Sequence, residues 1–212
     1  MSRVAIKICG VSTSGAIEAA LKGGASHIGF VHFAKSPRHL TPQQLADIAP
    51  RVPAHVKRVA VLVDPDDALI DALVLAGGLQ ALQLHGKETP GRVAAIAERT
   101  GLEIWKAISV KTAADLAASS AYAGSAHHLL FDAKTPDGAT LPGGMGQRFD
   151  WTLLAGHRSL LPWGLSGGLD PDNVAQAIRL TGAPLVDVSS GVESAPGVKD
   201  VDKIAAFCKA VS

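Results

Sequence analysis

One pattern narrows the possible folds of this chain more than any other: eight short apolar runs alternate with Ala/Leu-rich stretches of helical period. The runs fall at residues 4–8, 27–31, 56–63, 79–84, 103–108, 128–132, 161–165 and 185–188. Most are dominated by Val, Ile and Leu without polar alternation, as expected of strands buried on both faces of a parallel sheet. Helical patterns lie between them at 14–22, 42–48, 66–76, 90–99, 113–121, 171–180 and 201–211. Strand followed by helix, repeated about eight times, predicts an α/β chain folded as a (β/α)8 TIM barrel, a single catalytic domain over residues 1–212. The rival is a doubly wound open sheet. It usually carries a glycine fingerprint after its first strand, whereas this chain reads Cys9-Gly10-Val11 there.

Local punctuation agrees with the period. Thr41-Pro42, Asp64-Pro65, Thr89-Pro90 and Asp170-Pro171 each set a capping oxygen before a proline, and a proline at the first helical position gives up no needed hydrogen bond. Gly23-Gly24, Gly77-Gly78, Gly101 and Gly182 stand where a left-handed residue closes a last turn.

Composition removes several function classes. With 47% hydrophobic and 18% charged residues the chain is too apolar for disorder, and a net charge of +1 offers no basic face for nucleic acid. Two distant cysteines build neither a disulfide scaffold nor a metal-ligand pair. The eight histidines include no His-X-His or His-Glu-X-X-His, so no metal is expected. Arg3 and Lys7 interrupt the first apolar run, and no stretch of about 18 apolar residues occurs, so neither a signal peptide nor a membrane span is expected. The expected location is the cytoplasm.

In a barrel, reactive groups come from the C-terminal ends of strands and the loops that follow. Cys9, Arg38, His85, Asp132, Gly167, Gly168, Asp187, Ser189, Ser190 and Gly191 all fall at such positions. Alternation turns Lys7, Cys9, Gln83, His85, Leu130, Asp132, Asp187 and Ser189 into the barrel, and Leu82, Leu84, Leu129 and Phe131 toward the helices. Strands one and eight adjoin in a closed barrel, so Lys7 and Asp187 are candidates for a buried ion pair, since polar groups on interior positions need partners.

Ser166-Gly167-Gly168, followed by a helix start near Asp170, resembles an anion cradle: glycines admit a ligand to the backbone and helix-start N–H groups point at negative charge. Ser189-Ser190-Gly191 adds N–H donors and hydroxyls, and the loops after strands seven and eight are where barrels commonly bind phosphate. A phosphorylated small molecule is therefore the expected partner. Cys9 and Asp132 form a candidate base and acid, provided a cation or helix terminus lowers the thiol pKa toward working pH. The Arg38 guanidinium suits a carboxylate, and His85 is placed to donate to a ligand. Cys208, in the last helical pattern, reads as packing. Residues 134–147 (KTPDGATLPGGMGQ) have no period, and their glycines suit a lid.

Lys7-Ile8-Cys9-Gly10, Gly29-Phe30-Val31, Ser36-Pro37-Arg38, Gln83-Leu84-His85-Gly86, Ser166-Gly167-Gly168-Leu169 and the stretch Val186-Asp187-Val188-Ser189-Ser190-Gly191-Val192-Glu193 together resemble the phosphoribosylanthranilate isomerase family of tryptophan biosynthesis. The likeness extends to the Lys199-Asp200 segment, essentially the whole chain. It implies an Amadori rearrangement without a cofactor, with Asp132 as general acid at the ribose ring oxygen and Cys9 thiolate as general base at C2. It also implies that Arg38 holds the anthranilate carboxylate, that Gly167, Gly168, Ser189, Ser190 and Gly191 hold the phosphate, and that His85 and Asp187 belong to the substrate site. One departure is Met145, where the family often has threonine in Gly-Gly-Thr-Gly, which puts lid closure in doubt.

Two other readings remain open at this point. Another phosphate-binding barrel, an isomerase or synthase of amino-acid metabolism, shares the phosphate grip, and activity on the related histidine-pathway substrate belongs with it. A non-catalytic ligand-binding barrel is disfavoured by the joint presence of Cys9 and Asp132, and an aldolase by strand ends without a matching lysine nucleophile, although Lys7 and Lys106 remain. A monomer and a homodimer fit equally well.

Overall fold

A computed structural model describes residues 4–134, 143–144 and 146–212. Eight parallel strands hydrogen-bond in chain order and close on themselves: β1 (Ala5–Cys9), β2 (His27–His32), β3 (Lys57–Leu62), β4 (Ala81–Leu84), β5 (Glu103–Val110), β6 (His128–Ala133), β7 (Trp163–Leu165) and β8 (Leu185–Val188). The seam is the β8–β1 pair, in which Lys7 lies opposite Asp187. Helices α1 (Ser14–Lys22), α2 (Pro42–Ile48), α3 (Asp67–Gly77), α4 (Pro90–Thr100), α5 (Ala113–Ala118), α6 (Val174–Thr181) and α7 (Val201–Val211) are interleaved with the strands. Between β6 and β7 the described chain forms only a 3-10 turn, Trp151–Leu154. Among the described residues no helix is long and apolar enough to cross a membrane.

Strand parity divides the core as the sequence requires. Leu82, Leu84, Leu129 and Phe131 pack outward into the layer between strands and helices. Inside, Val59, Ala81, Trp105, Leu130 and Leu185 make an apolar floor, with Ala5 against it. Trp105 stacks on His128 (centroids 4.3 Å, 18°) and meets His27 edge-on at 5.1 Å. Burial, aided by the Lys7 and Lys57 cations, holds His27 down at about 3; burial likewise holds His128 at about 4, with Lys57 and Lys7 adding to it and Glu103 opposing. Both histidines of the floor are therefore uncharged near neutral pH. Above it the interior positions turn polar, because the mouth is where a ligand can meet them.

Two of the anticipated helix starts are displaced. Asp66, not Asp64, caps α3 by accepting from Leu69 N at 2.8 Å. Asp64 instead takes a positive φ (45°) and receives Lys87 N, so it ties the β3 loop to the β4 loop. Asp170 caps a preceding turn by accepting from Asp172 N and Asn173 N, and α6 begins only at Val174. At the ends, Gly78, Gly101 and Gly182 are left-handed, whereas the cap of α1, Gly23, is right-handed and Gly24 carries the positive φ. A short hairpin that the sequence reading did not anticipate, β9 (Glu193–Ala195) with β10 (Val198–Lys199), follows β8. Its strands are too short for period-2 alternation to register.

Candidate active site

The residues expected at the strand ends gather around one cavity of about 830 Å³, its solvent-open mouth included. Cys9, Arg38, His85, Asp132 and Asp187 line it, and so do Gly167, Gly168, Ser189 and Ser190 from the anion loops. Gly191 lies behind this lining. A Cβ there would collide with the Leu169 carbonyl oxygen, so the β7 and β8 loops meet backbone to backbone at this residue.

At the seam, Lys7 Nζ donates to Asp187 Oδ1 at 2.9 Å, which forms the expected ion pair. Ser166 Oγ approaches the other carboxylate oxygen at 3.4 Å. Lys7 loses all contact with water, yet its pKa is raised, because Asp187 and then Cys9 outweigh the burial. Cys9, one pleat above Lys7 on β1, sits opposite Gly29 of β2. A Cβ at Gly29 would lie 2.8 Å from Cys9 Sγ and 3.0 Å from Lys7 Nζ, so the missing side chain makes room for the thiol and the ammonium together.

The thiol pKa departs from expectation. Burial pushes Cys9 up, and although Lys7 and Lys199 pull it down, Asp187 opposes them and the net shift is upward. Both cations act in the lowering direction, but desolvation is larger.

Asp132, next to last in β6, has Oδ1 accepting the N–H of its neighbour Ala133 at 2.8 Å. Its Oδ2 is 3.1 Å from His85 Nε2, but the ring is not angled along that line, and Nε2 has no hydrogen-bond partner among the described residues. Gln83 Nε2 lies 3.4 Å from His85 Nδ1, and the buried Gln83 Oε1 also has no partner among them. Gly143 presses on this pair: a Cβ there would lie 2.7 Å from Asp132 Oδ2 and 2.8 Å from His85 Nε2. The β6 loop therefore reaches the acid directly. Residues 135–142 and Met145 lie outside the described residues, and with them the bulk of the expected lid.

Arg38 is buried, not a solvated loop residue. Its Nε and Nη2 grip Glu193 Oε1 and Oε2 at 2.7 and 2.8 Å, and Nη2 also donates to Gly144 O at 3.2 Å. Lys199 Nζ donates to the same Glu193 Oε1 at 2.7 Å and to Ser189 O at 2.9 Å. Ser189 Oγ spends its proton on Cys9 O at 3.1 Å. Consequently Ser189 offers a ligand its backbone rather than its hydroxyl proton. Glu193 and Lys199 were not singled out from the sequence as site residues. The stretch Val186–Glu193 ends on the first and the likeness extends to the second, but no spacing rule reveals a partner 155 residues away.

The anion loops keep free donors. Neither Gly168 N–H nor Gly191 N–H donates to an acceptor among the described residues. Gly167 takes φ +87°, which turns the β7 loop over Asp132. Ser190–Val192 forms a 3-10 turn after β8, so its N–H groups lie at the start of a helical turn. Opposite, Val31, Val61 and Cys9 form a small apolar cluster extended by Phe33. Among the described residues no three His, Cys, Asp or Glu side chains converge as a metal cage requires. Cys208 is buried under α1, its sulfur against Gly23.

This arrangement has close counterparts. A family profile described as N-(5'phosphoribosyl)anthranilate (PRA) isomerase matches residues 6–210. An N-(5'-phosphoribosyl)anthranilate isomerase of Zymomonas mobilis subsp. pomaceae is 55% identical over 210 residues, 98% of each chain. The crystal structure of phosphoribosyl anthranilate isomerase from Thermotoga maritima superimposes with a TM-score of 0.88 at 36% identity, covering 98% of both chains. A further isomerase structure, solved with reduced 1-(o-carboxyphenylamino)-1-deoxyribulose 5-phosphate, gives 0.85 at 34% identity over the same shares.

Proposed function

The chain belongs to the N-(5'-phosphoribosyl)anthranilate isomerase family of tryptophan biosynthesis, and from that premise we propose how its cavity carries out the Amadori rearrangement of phosphoribosylanthranilate to the 1-(2-carboxyphenylamino)-1-deoxyribulose phosphate. The observation that supports this reading best is that Cys9 and Asp132, from strands on different sides of the barrel, line one cavity whose rim is formed by the two anion loops.

In this reading the phosphate rests on the N–H groups of Gly167, Gly168, Ser190 and Gly191, with Ser189 contributing backbone. Binding the phosphate far from the reacting carbon supplies orientation that the chemistry uses. The anthranilate ring lies on Val31, Val61 and Phe33, and its carboxylate meets the edge of Arg38 that Glu193 leaves free. Asp132, as acid, protonates the ribose ring oxygen. The bond from that oxygen to C1 breaks, and the nitrogen lone pair closes an iminium at C1.

The iminium makes the C2 proton acidic. Cys9 removes it in the thiolate form that Lys7 and Lys199 favour and burial opposes. The electron pair forms the C1–C2 double bond and neutralises the nitrogen. The resulting enolamine takes a proton at C1 and loses its C2 hydroxyl proton to become the ketone. His85 and Asp187 complete the substrate site, the former beside the acid and the latter behind the base. No cofactor enters this scheme.

Every residue in the scheme comes from one chain, so a monomer and a homodimer are equally able to carry it, as one catalytic domain working in the cytoplasm without nucleic acid or membrane. The test follows anthranilate fluorescence during conversion of freshly made phosphoribosylanthranilate. Cys9→Ala and Asp132→Asn each lower turnover at least about a hundredfold while the fold is kept. Near-normal turnover in either variant rejects that residue's role, and a parent protein without turnover favours a different phosphate-binding barrel activity.

A further inference from the structure

Glu193 lies behind Arg38, outside the lining of the cavity that holds Cys9 and Asp132, and takes no chemical part in the rearrangement. It is nonetheless one of the best-satisfied carboxylates among the described residues. Oε1 accepts from Arg38 Nε and Lys199 Nζ, both at 2.7 Å, and Oε2 accepts from Arg38 Nη2 at 2.8 Å and Gly197 N at 3.2 Å. Its side chain is 4% exposed, and those of its two cationic partners 6% and 1%. Even its backbone oxygen is taken, by Lys203 Nζ at 2.8 Å.

This bidentate clasp uses the side-on edge of the guanidinium. A planar fork held along one edge has its other edge aimed. On that other edge Nη2 also donates to Gly144 O, which leaves Nη1, bordering Gly144 and the cavity, as the free group. Two cations against one carboxylate also leave a single surplus positive charge in a nearly dry place, which one substrate carboxylate neutralises.

We propose that Glu193 is the positioning residue of the carboxylate grip: it aims Arg38 and, by sharing Lys199, keeps the grip at one positive charge. This rests on the reading of Arg38 as the ligand of the substrate carboxylate. The same lysine ties the grip to the base strand, through Ser189 O and Oγ and thence Cys9 O. Carboxylate binding and placement of the thiol thus share one hydrogen-bonded path.

The test is a four-membered cycle, comprising the parent, Glu193→Gln, Arg38→Ala and the double variant, in which kcat and KM for phosphoribosylanthranilate are measured separately. Glutamine keeps the shape but meets the Arg38 fork with an N–H group, so the clasp is lost. Glu193→Gln is expected to raise KM about tenfold with kcat within about twofold, and to add nothing in the Arg38→Ala background. If Arg38→Ala raises KM while Glu193→Gln does not, the proposal fails and the carboxylate reading stands. The proposal fails equally if Glu193→Gln raises KM by the same factor with or without Arg38. An unchanged KM in Arg38→Ala overturns the carboxylate reading, and the proposal with it. Should Glu193→Gln not fold, Glu193→Asp, which keeps the charge but shortens the reach, carries the same cycle with the same outcomes.

Discussion

Lys7 Nζ and Asp187 Oδ1 meet at 2.9 Å across the seam where the last strand of the barrel joins the first. Both side chains are buried, so neither charge is tolerable without the other. Asp187→Asn leaves the ammonium uncompensated and is expected to cost about 3–5 kcal/mol in urea unfolding. Combining it with Lys7→Met removes both charges and should recover at least half of that loss. Strictly additive losses in the double variant would show that the two charges are not energetically coupled.

The thiol above that pair is held protonated by its burial more than the cations release it. Alkylation of Cys9 by iodoacetamide, read by peptide mass spectrometry, should therefore still be accelerating above about pH 9, beyond the ordinary thiol range. Cys9→Ala supplies the blank for Cys208. A rate that levels off near pH 7 would mean that Lys7 and Lys199 dominate after all.

Gly29 is where β2 yields space to the base. Its missing Cβ would stand 2.8 Å from Cys9 Sγ. Gly29→Ala is expected to cost about 1–3 kcal/mol of stability, typical of overpacking a dense core, and to lower kcat about tenfold because the sulfur is displaced. Unaltered turnover in a folded Gly29→Ala protein would show that the sulfur position is not critical.

His128, stacked on Trp105, and His27, edge-on to it, have pKa values of about 4 and about 3. A histidine whose folded pKa is depressed contributes stability that is complete above its unfolded value and is lost as pH falls toward the folded one. Unfolding free energy should therefore decline as pH is lowered below about 6.5. For His128→Gln the decline between pH 7 and 4.5 should be smaller than the parent's by about 2 kcal/mol. Parallel curves for parent and variant would contradict the assignment.

Much of the barrel was legible because two local rules agreed. Continuous apolar runs marked the strands, and residue parity along each run sorted Leu82, Leu84, Leu129 and Phe131 outward from Gln83, Leu130 and Asp132. The caps at Thr41 and Thr89 were legible for the same reason, since capping involves residues three apart in the chain. Asp64 and Asp170 misled because an Asp-Pro pair serves a turn as well as it serves a helix start. The β9–β10 hairpin left no mark, being shorter than the window over which alternation can be read.

The cavity shows the same division. Taken alone, the chain determined which side chains stand at strand ends and point inward, because pleat and parity are properties of neighbouring residues. It even made Lys7 and Asp187 candidates for one ion pair, since closing eight strands in order leaves the first beside the last, although the register that sets them opposite belongs to the tertiary structure. Only the tertiary structure decided that Arg38 is clasped by Glu193, that Lys199 shares the clasp, and that burial raises the Cys9 pKa. Those outcomes depend on distances and desolvation set by loops far apart in the chain, and no periodicity encodes a through-space distance.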